Sequence, residues 1–256
     1  MPSMNDIPTS PDNIIAIASG KGGVGKTWLS ITLAHLFARS GRRALLFDGD
    51  IGLANVDVQL GLTPERDLRS VFDDKAKLKE IVHHYTGGFD ILAGRSGSTN
   101  LSSIPLARLG AVRQQLKDLA SEYDVVFIDL GAGIEDYVQF MASIGSRVIV
   151  VVTDEPTSLT DAYAFIKLCI TKLNIPDIMV VVNHAASQKE GEKTFGALEK
   201  ACNSFLKVTP KLLGIVRKDN KVKDSIRSQQ SLIEKASHTL AASDAAAISI
   251  KLMQKT

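Results

Sequence analysis

The chain has 256 residues, of which 45% are hydrophobic and 23% charged. That balance is ordinary for a globular protein and excludes a disordered or fibrous chain. Lys and Arg number 30 against 28 Asp and Glu, a net charge of +2, which gives no reason to expect a dedicated nucleic-acid binder. The two cysteines, Cys169 and Cys202, lie far apart, so a zinc ribbon or an iron–sulfur site built within one chain is excluded.

Residues 1–13 hold three prolines and two acids without an apolar stretch. They are expected to form a flexible tail and not a signal peptide. No apolar run reaches the ~18–20 residues that span a bilayer. Strands are expected at 14–18, 44–47, 89–92, 125–128, 148–152, 178–182 and 212–216. Most of these runs are continuously apolar, as in a parallel sheet covered on both faces. Helical spacing appears at 28–40, with Leu29, Leu33, Leu36 and Phe37 on one side, and at 106–122, with Leu109, Val112, Leu116 and Leu119. It appears again at 160–173, 190–205 and 220–229. Strand and helix alternate, which predicts an α/β fold: a doubly wound, mostly parallel sheet with helices on both faces. One domain over 14–247 is expected, with 248–256 as a tail or the end of a terminal helix.

The strongest chemical signal is Gly20-Lys21-Gly22-Gly23-Val24-Gly25-Lys26-Thr27. It fits G-x-x-x-x-G-K-[ST], with a strand entering it and a helix leaving at Trp28. The glycines let successive backbone N–H groups turn onto phosphate oxygens, and the helix N-terminus adds partial positive charge. Lys26 is expected on the β and γ phosphates and the Thr27 hydroxyl on magnesium. Two further acids end strands at the edge where α/β sheets bind ligands. Asp50 is suited to hold an attacking water against the γ phosphate, with Asp48 as a supporting neighbour. Asp129 closes the hydrophobic strand from Tyr123 and suits support of magnesium. Thr27, Asp50 and Asp129 are the expected metal set, and ATP with Mg2+ the expected cofactors.

The second lysine of the loop, Lys21, is not needed to bind a nucleotide. With it, the loop resembles the deviant Walker A of the MinD/ParA group of ATPases, in which the early lysine reaches the partner's nucleotide across a dimer. The run Asp50-Ile51-Gly52-Leu53-Ala54-Asn55-Val56-Asp57, then Leu60-Gly61-Leu62-Thr63-Pro64, and the longer stretch 154–167 (Asp154-Glu155-Pro156-Thr157-Ser158-Leu159-Thr160-Asp161-Ala162-Tyr163-Ala164-Phe165-Ile166-Lys167) are similar to flagellar-number regulators of the FlhG/FleN type. The resemblance runs from about residue 14 to 230. It implies a cytoplasmic ATPase that closes as an ATP-sandwiched homodimer. The partners it implies are the flagellar GTPase FlhF and the flagellar activator FleQ.

It also implies that Asn183 reads the adenine edge, and that Arg217 and Asp219 lie beside the base where the family carries Pro-x-Asp. The proline is missing here. Leu130 replaces a small hydroxyl residue, and residues 1–13 lack the glutamine-containing motif that stimulates FlhF. Near the C-terminus a helix would put Ala241, Ala245, Ile248 and Leu252 on one face with Lys251 and Lys255 beside it. That face suits either packing on the sheet or weak contact with the inner membrane. Three rival functions remain: a partition-type ATPase that binds DNA non-specifically and positions cargo, a metal-cluster carrier of the same fold, and a P-loop kinase or ligase. The basic run Arg217, Lys218, Lys221, Lys223 and Arg227 is the feature that bears on DNA, and it also suits a solvated or partner-docking face.

Overall fold

The computed structural model describes residues 13–50, 54–94 and 106–254. The tail 1–12, residues 51–53 of the Asp50–Asp57 run, and Lys255 lie outside the described residues. Strands β1 (Ile14–Ser19), β2 (Ala44–Gly49), β3 (His83–His84), β4 (Asp90–Leu92), β5 (Val125–Ala132), β6 (Arg147–Val152), β7 (Asp177–Ala185) and β8 (Lys211–Arg217) form one sheet in the order β3-β4-β2-β5-β1-β6-β7-β8. Every pair is parallel except β3–β4. The expected doubly wound α/β sheet is therefore present, with β1 at its centre.

The helices are α1 (Lys26–Arg39), α2 (Val56–Leu60), α3 (Leu68–Phe72), α4 (Leu106–Ala120), α5 (Asp136–Ala142), α6 (Pro156–Thr171), α7 (Gln188–Ala201), α8 (Asn220–Arg227), α9 (Leu232–Lys235) and α10 (Leu240–Met253). The expected helix 190–205 ends instead in a π turn, Cys202–Leu206. Side chains alternate across β1: Ile14, Ala16 and Ala18 join the core under α4 to α7, while Ile15 and Ile17 join the core under α1 and α10. Both faces are dry, which is why the strands read as continuous apolar runs. The anticipated stripe of α4 is seated there, with Leu116 fully buried.

The C-terminal helix settles where its apolar face goes. Helix α10 extends to Met253, and Ala241, Ala245, Ile248 and Leu252 are all buried against α1 and β8. Lys251 Nζ donates to the Leu213 carbonyl at 2.9 Å. The face that suited a membrane is thus spent on the core, and Leu240 and Ile250 are the large apolar groups of α10 left exposed. Among the described residues no helix is long and apolar enough to cross a membrane.

The seat of α10 depends on Gly214 of β8. A Cβ there would lie 2.4 Å from Ile248 Cγ1. Gly214→Ala is expected to cost about 1–3 kcal/mol through overpacking, measured by denaturant unfolding. Ile250→Ser on the exposed side should change stability by no more than about 0.5 kcal/mol.

Candidate functional site

The carboxyl ends of β1, β2, β5 and β7 converge on a cavity of about 1290 Å3. Its lining includes Gly22, Gly23, Gly25, Lys26, Thr27 and Trp28 from the loop after β1, and Asp50 from the end of β2. Gly25 stands at the N-cap of α1 with φ 94°. A side chain there would be strained, and its Cβ would fall 2.3 Å from Asn183 Nδ2. Gly20 opens the loop against Asp161 of α6.

Lys26 is buried, and its Nζ donates to Ser19 Oγ at 2.8 Å. Ser19 Oγ in turn donates to the Lys21 carbonyl at 2.6 Å. Burial lowers the Lys26 pKa, while the charges of Asp129 and Asp50 pull it back up. Parallel pairing of β2 with β5 sets Asp48 beside Asp129. Both are fully enclosed. Burial first, and then the neighbouring charge of Asp129, hold Asp48 well above the usual carboxylate range. Burial lifts Asp129 to about 6, opposed by hydrogen bonds from Thr27 and Ser30 and by the charge of Lys26. Ser30 Oγ donates to Asp129 Oδ1 at 2.9 Å. Asp48 accepts from the backbone N–H groups of Asp50, Asn55 and Val56. It therefore pins both ends of the loop that carries Asp50, the supporting role expected of it.

The donor set fits magnesium on a nucleotide. The Thr27 hydroxyl is close enough to Asp129 to favour its charged form, and hydroxyl and carboxylate oxygens are the ligands a hard dication takes. No cluster of three or more His, Cys, Asp or Glu suited to a metal occurs among the described residues. The remaining ligands are then phosphate oxygens and water. Thr27 and Asp129 would hold the ion together with Asp50, which lines the same cavity.

Lys21 turns to the start of α6, where it pairs with Glu155 and donates to Thr157 Oγ1 at 3.0 Å. Trp28 is buried, and its indole N–H has no partner among the described residues. Val24 is buried, and its carbonyl accepts from Asn183 Nδ2 at 2.8 Å. The three residues expected at the base are placed as follows. Asn183 lines the cavity and gives one N–H of its amide to the phosphate loop, while the amide also carries a second N–H and an acceptor oxygen. Arg217 forms a two-pronged pair with Asp244 of α10, Nη2 to Oδ1 at 2.7 Å and Nε to Oδ2 at 2.9 Å. Asp219 caps α8, accepting from Lys221 N at 2.9 Å. Neither Arg217 nor Asp219 faces the cavity.

The wall on that side is instead His184, Val222, Lys223 and Ile226. His184 was not among the site residues expected from the sequence. It sits at the end of β7 with a left-handed φ of 59°. Burial, then Lys223 and Lys218, lower its pKa, so the imidazole is neutral near pH 7. Its place next to Asn183 was the available signal.

A glycine loop between a central parallel strand and a helix, a buried lysine and a magnesium-ready hydroxyl–carboxylate pair define a P-loop nucleotide-binding protein. The chain belongs to the CobQ/CobB/MinD/ParA nucleotide-binding domain family, which matches residues 15–233, and it is a MinD/ParA-type ATPase. It is 39% identical over 225 residues to the antiactivator FleN of Pseudomonas aeruginosa, covering 88% of this chain and 80% of that one. It is 34% identical over 219 residues to the flagellum site-determining protein YlxH of Helicobacter pylori, covering 85% and 74%. Among solved structures, the cell division ATPase MinD of Pyrococcus furiosus superposes with a TM-score of 0.82 at 21% identity, over 96% of this chain and all of that one.

Because one of its N–H groups holds the loop, Asn183→Ala is expected to weaken ATP and ADP together, by about tenfold, the worth of one buried hydrogen bond. Titration calorimetry with ATP and ADP checks this.

Proposed function

We propose that this ATPase is a dimerising switch that controls flagellar number or placement. One observation carries the reading. Lys21 rests on Glu155 and Thr157, so the early lysine of the loop and the flagellar-type stretch 154–167 meet at the rim of the phosphate cavity. The likeness to FleN and YlxH over most of the chain supports the same reading.

In this scheme ATP enters with magnesium, which neutralises phosphate charge and orients the β and γ oxygens. Lys26 exchanges Ser19 for the phosphates. Asp50 accepts a hydrogen bond from the attacking water and aligns it with the γ phosphorus. Lys21 leaves Glu155 and crosses to the nucleotide of a second copy, so that two chains close around two triphosphates. Loss of the γ phosphate removes the contacts that favour closure. The closed form then engages FlhF or FleQ in the cytoplasm. Any membrane contact would fall to Ile250 and its exposed neighbours, which makes it weak.

DNA positioning is less well supported. Arg217 is neutralised by Asp244 and Lys223 lines the cavity, which thins the basic run on α8. A cluster carrier is disfavoured too, since both cysteines are buried and burial lifts their thiols to about 12 at Cys169 and about 11 at Cys202.

Size measurement with ADP, ATP and a non-hydrolysable analogue tests the switch. Lys21→Ala should bind ATP yet remain monomeric. Asp50→Ala should bind ATP and accumulate as a dimer that retains FlhF or FleQ. ATP-driven association that survives Lys21→Ala, or an ATP-bound Asp50→Ala chain that stays monomeric, overturns the scheme.

A further inference from the structure

Tyr137 stands outside every role assigned so far. It lies on α5, after the Gly131–Gly133 turn, and its side chain lines the same cavity as Lys26, Thr27 and Asp50. Its hydroxyl is buried and has no hydrogen-bond partner among the described residues. A buried O–H left unpaired is costly, and a phenylalanine of the same shape would avoid that cost. The hydroxyl therefore marks a contact that forms in another state of the site.

Two acids face it. Burial, then the charges of Asp48 and Asp50, hold the phenol well above its ordinary pKa, so it acts as a donor and not as a base. Asp48 is already supplied by three backbone N–H groups. Asp50 is the acid at the cavity wall, its carboxylate lying over Gly131, where a Cβ would come within 3.4 Å of Asp50 Oδ1.

We propose that Tyr137 is a positioning residue for hydrolysis, its hydroxyl donating to the Asp50 carboxylate when nucleotide fills the cavity. One carboxylate oxygen then takes the tyrosine proton as a hydrogen bond and the other is left to hold the water. In the reaction the water oxygen bonds to the γ phosphorus, and the bond to the bridging oxygen breaks, leaving ADP. The protons of the water end on phosphate and solvent. Tyr137 keeps its own proton throughout, so its effect passes entirely through the orientation of Asp50. This inference rests on the assignment of Asp50 to the water.

The test is Tyr137→Phe in the full chain, assayed for Mg-ATP hydrolysis. The kcat should fall about tenfold, the effect of one hydrogen bond to a charged group. The KM for ATP should stay within twofold of the starting protein, and ATP-driven association should be retained. The nucleotide-free variant should melt at the same temperature or higher, because a partnerless hydroxyl has been removed. Adding Tyr137→Phe to Asp50→Ala should change nothing further, as for two residues acting in one chain of contacts. A kcat within twofold of the starting protein overturns the proposal. So does a variant in which kcat, KM and melting temperature all worsen together, which is the mark of a packing residue. If Asp50→Ala itself hydrolyses ATP normally, the assignment of the water fails and this inference falls with it. If only Tyr137→Phe is normal, the inference fails alone.

Discussion

One buried ammonium organises the site. Lys26 sits at the edge of the sheet, almost without access to water, where a lone charge would be costly. Ser19 Oγ accepts a hydrogen bond from it, and the charges of Asp129 and Asp50 favour its charged form. The same lysine offsets part of the cost of burying Asp129. The pairing of β2 with β5, which sets Asp48 beside Asp129, makes the positive charge necessary as well as tolerable. An arriving triphosphate with magnesium fits this arrangement, because it adds anions on the lysine side and a cation on the carboxylate side.

The surrounding elements hold that cluster in place from several directions. Asn183 ties β7 to the loop through Val24, and α6 lies against Gly20 through Asp161. The stretch 154–167 divides its residues between two tasks. Ala162, Phe165 and Ile166 are buried in the core, while Glu155 and Thr157 hold Lys21. A segment so long and so specific in sequence is explained by this double use: part of it packs the sheet and part of it meets the loop.

The larger elements were legible because their periods are long. The seven expected strands and the helices on either face appear in the structure, with shifts of a few residues at their ends. The pieces that went unseen are short: β3, α2, α3 and α5 have between two and seven residues, too few to show a period. Tyr137 was missed with them, since nothing in its local sequence distinguishes a cavity-facing tyrosine on a short helix from any other. On the base side, the position of a residue along the chain does not give the direction of its side chain. Arg217 and Asp219 sit at the right places along the chain, but Asp244 and the N-terminus of α8 claim their side chains.

The sequence by itself determined the phosphate loop, the strand ends that carry Asp50 and Asp129, and the family. Those features depend on backbone geometry and local spacing, which a linear pattern records. Only the tertiary structure decided the direction of α10, the cavity wall beside Asn183 and the burial of the charge cluster. Each depends on which distant residue arrives first: Gly214 makes room for Ile248, Asp244 captures Arg217, and β5 brings Asp129 to Asp48. Competition of that kind between groups remote in the chain leaves no periodic trace.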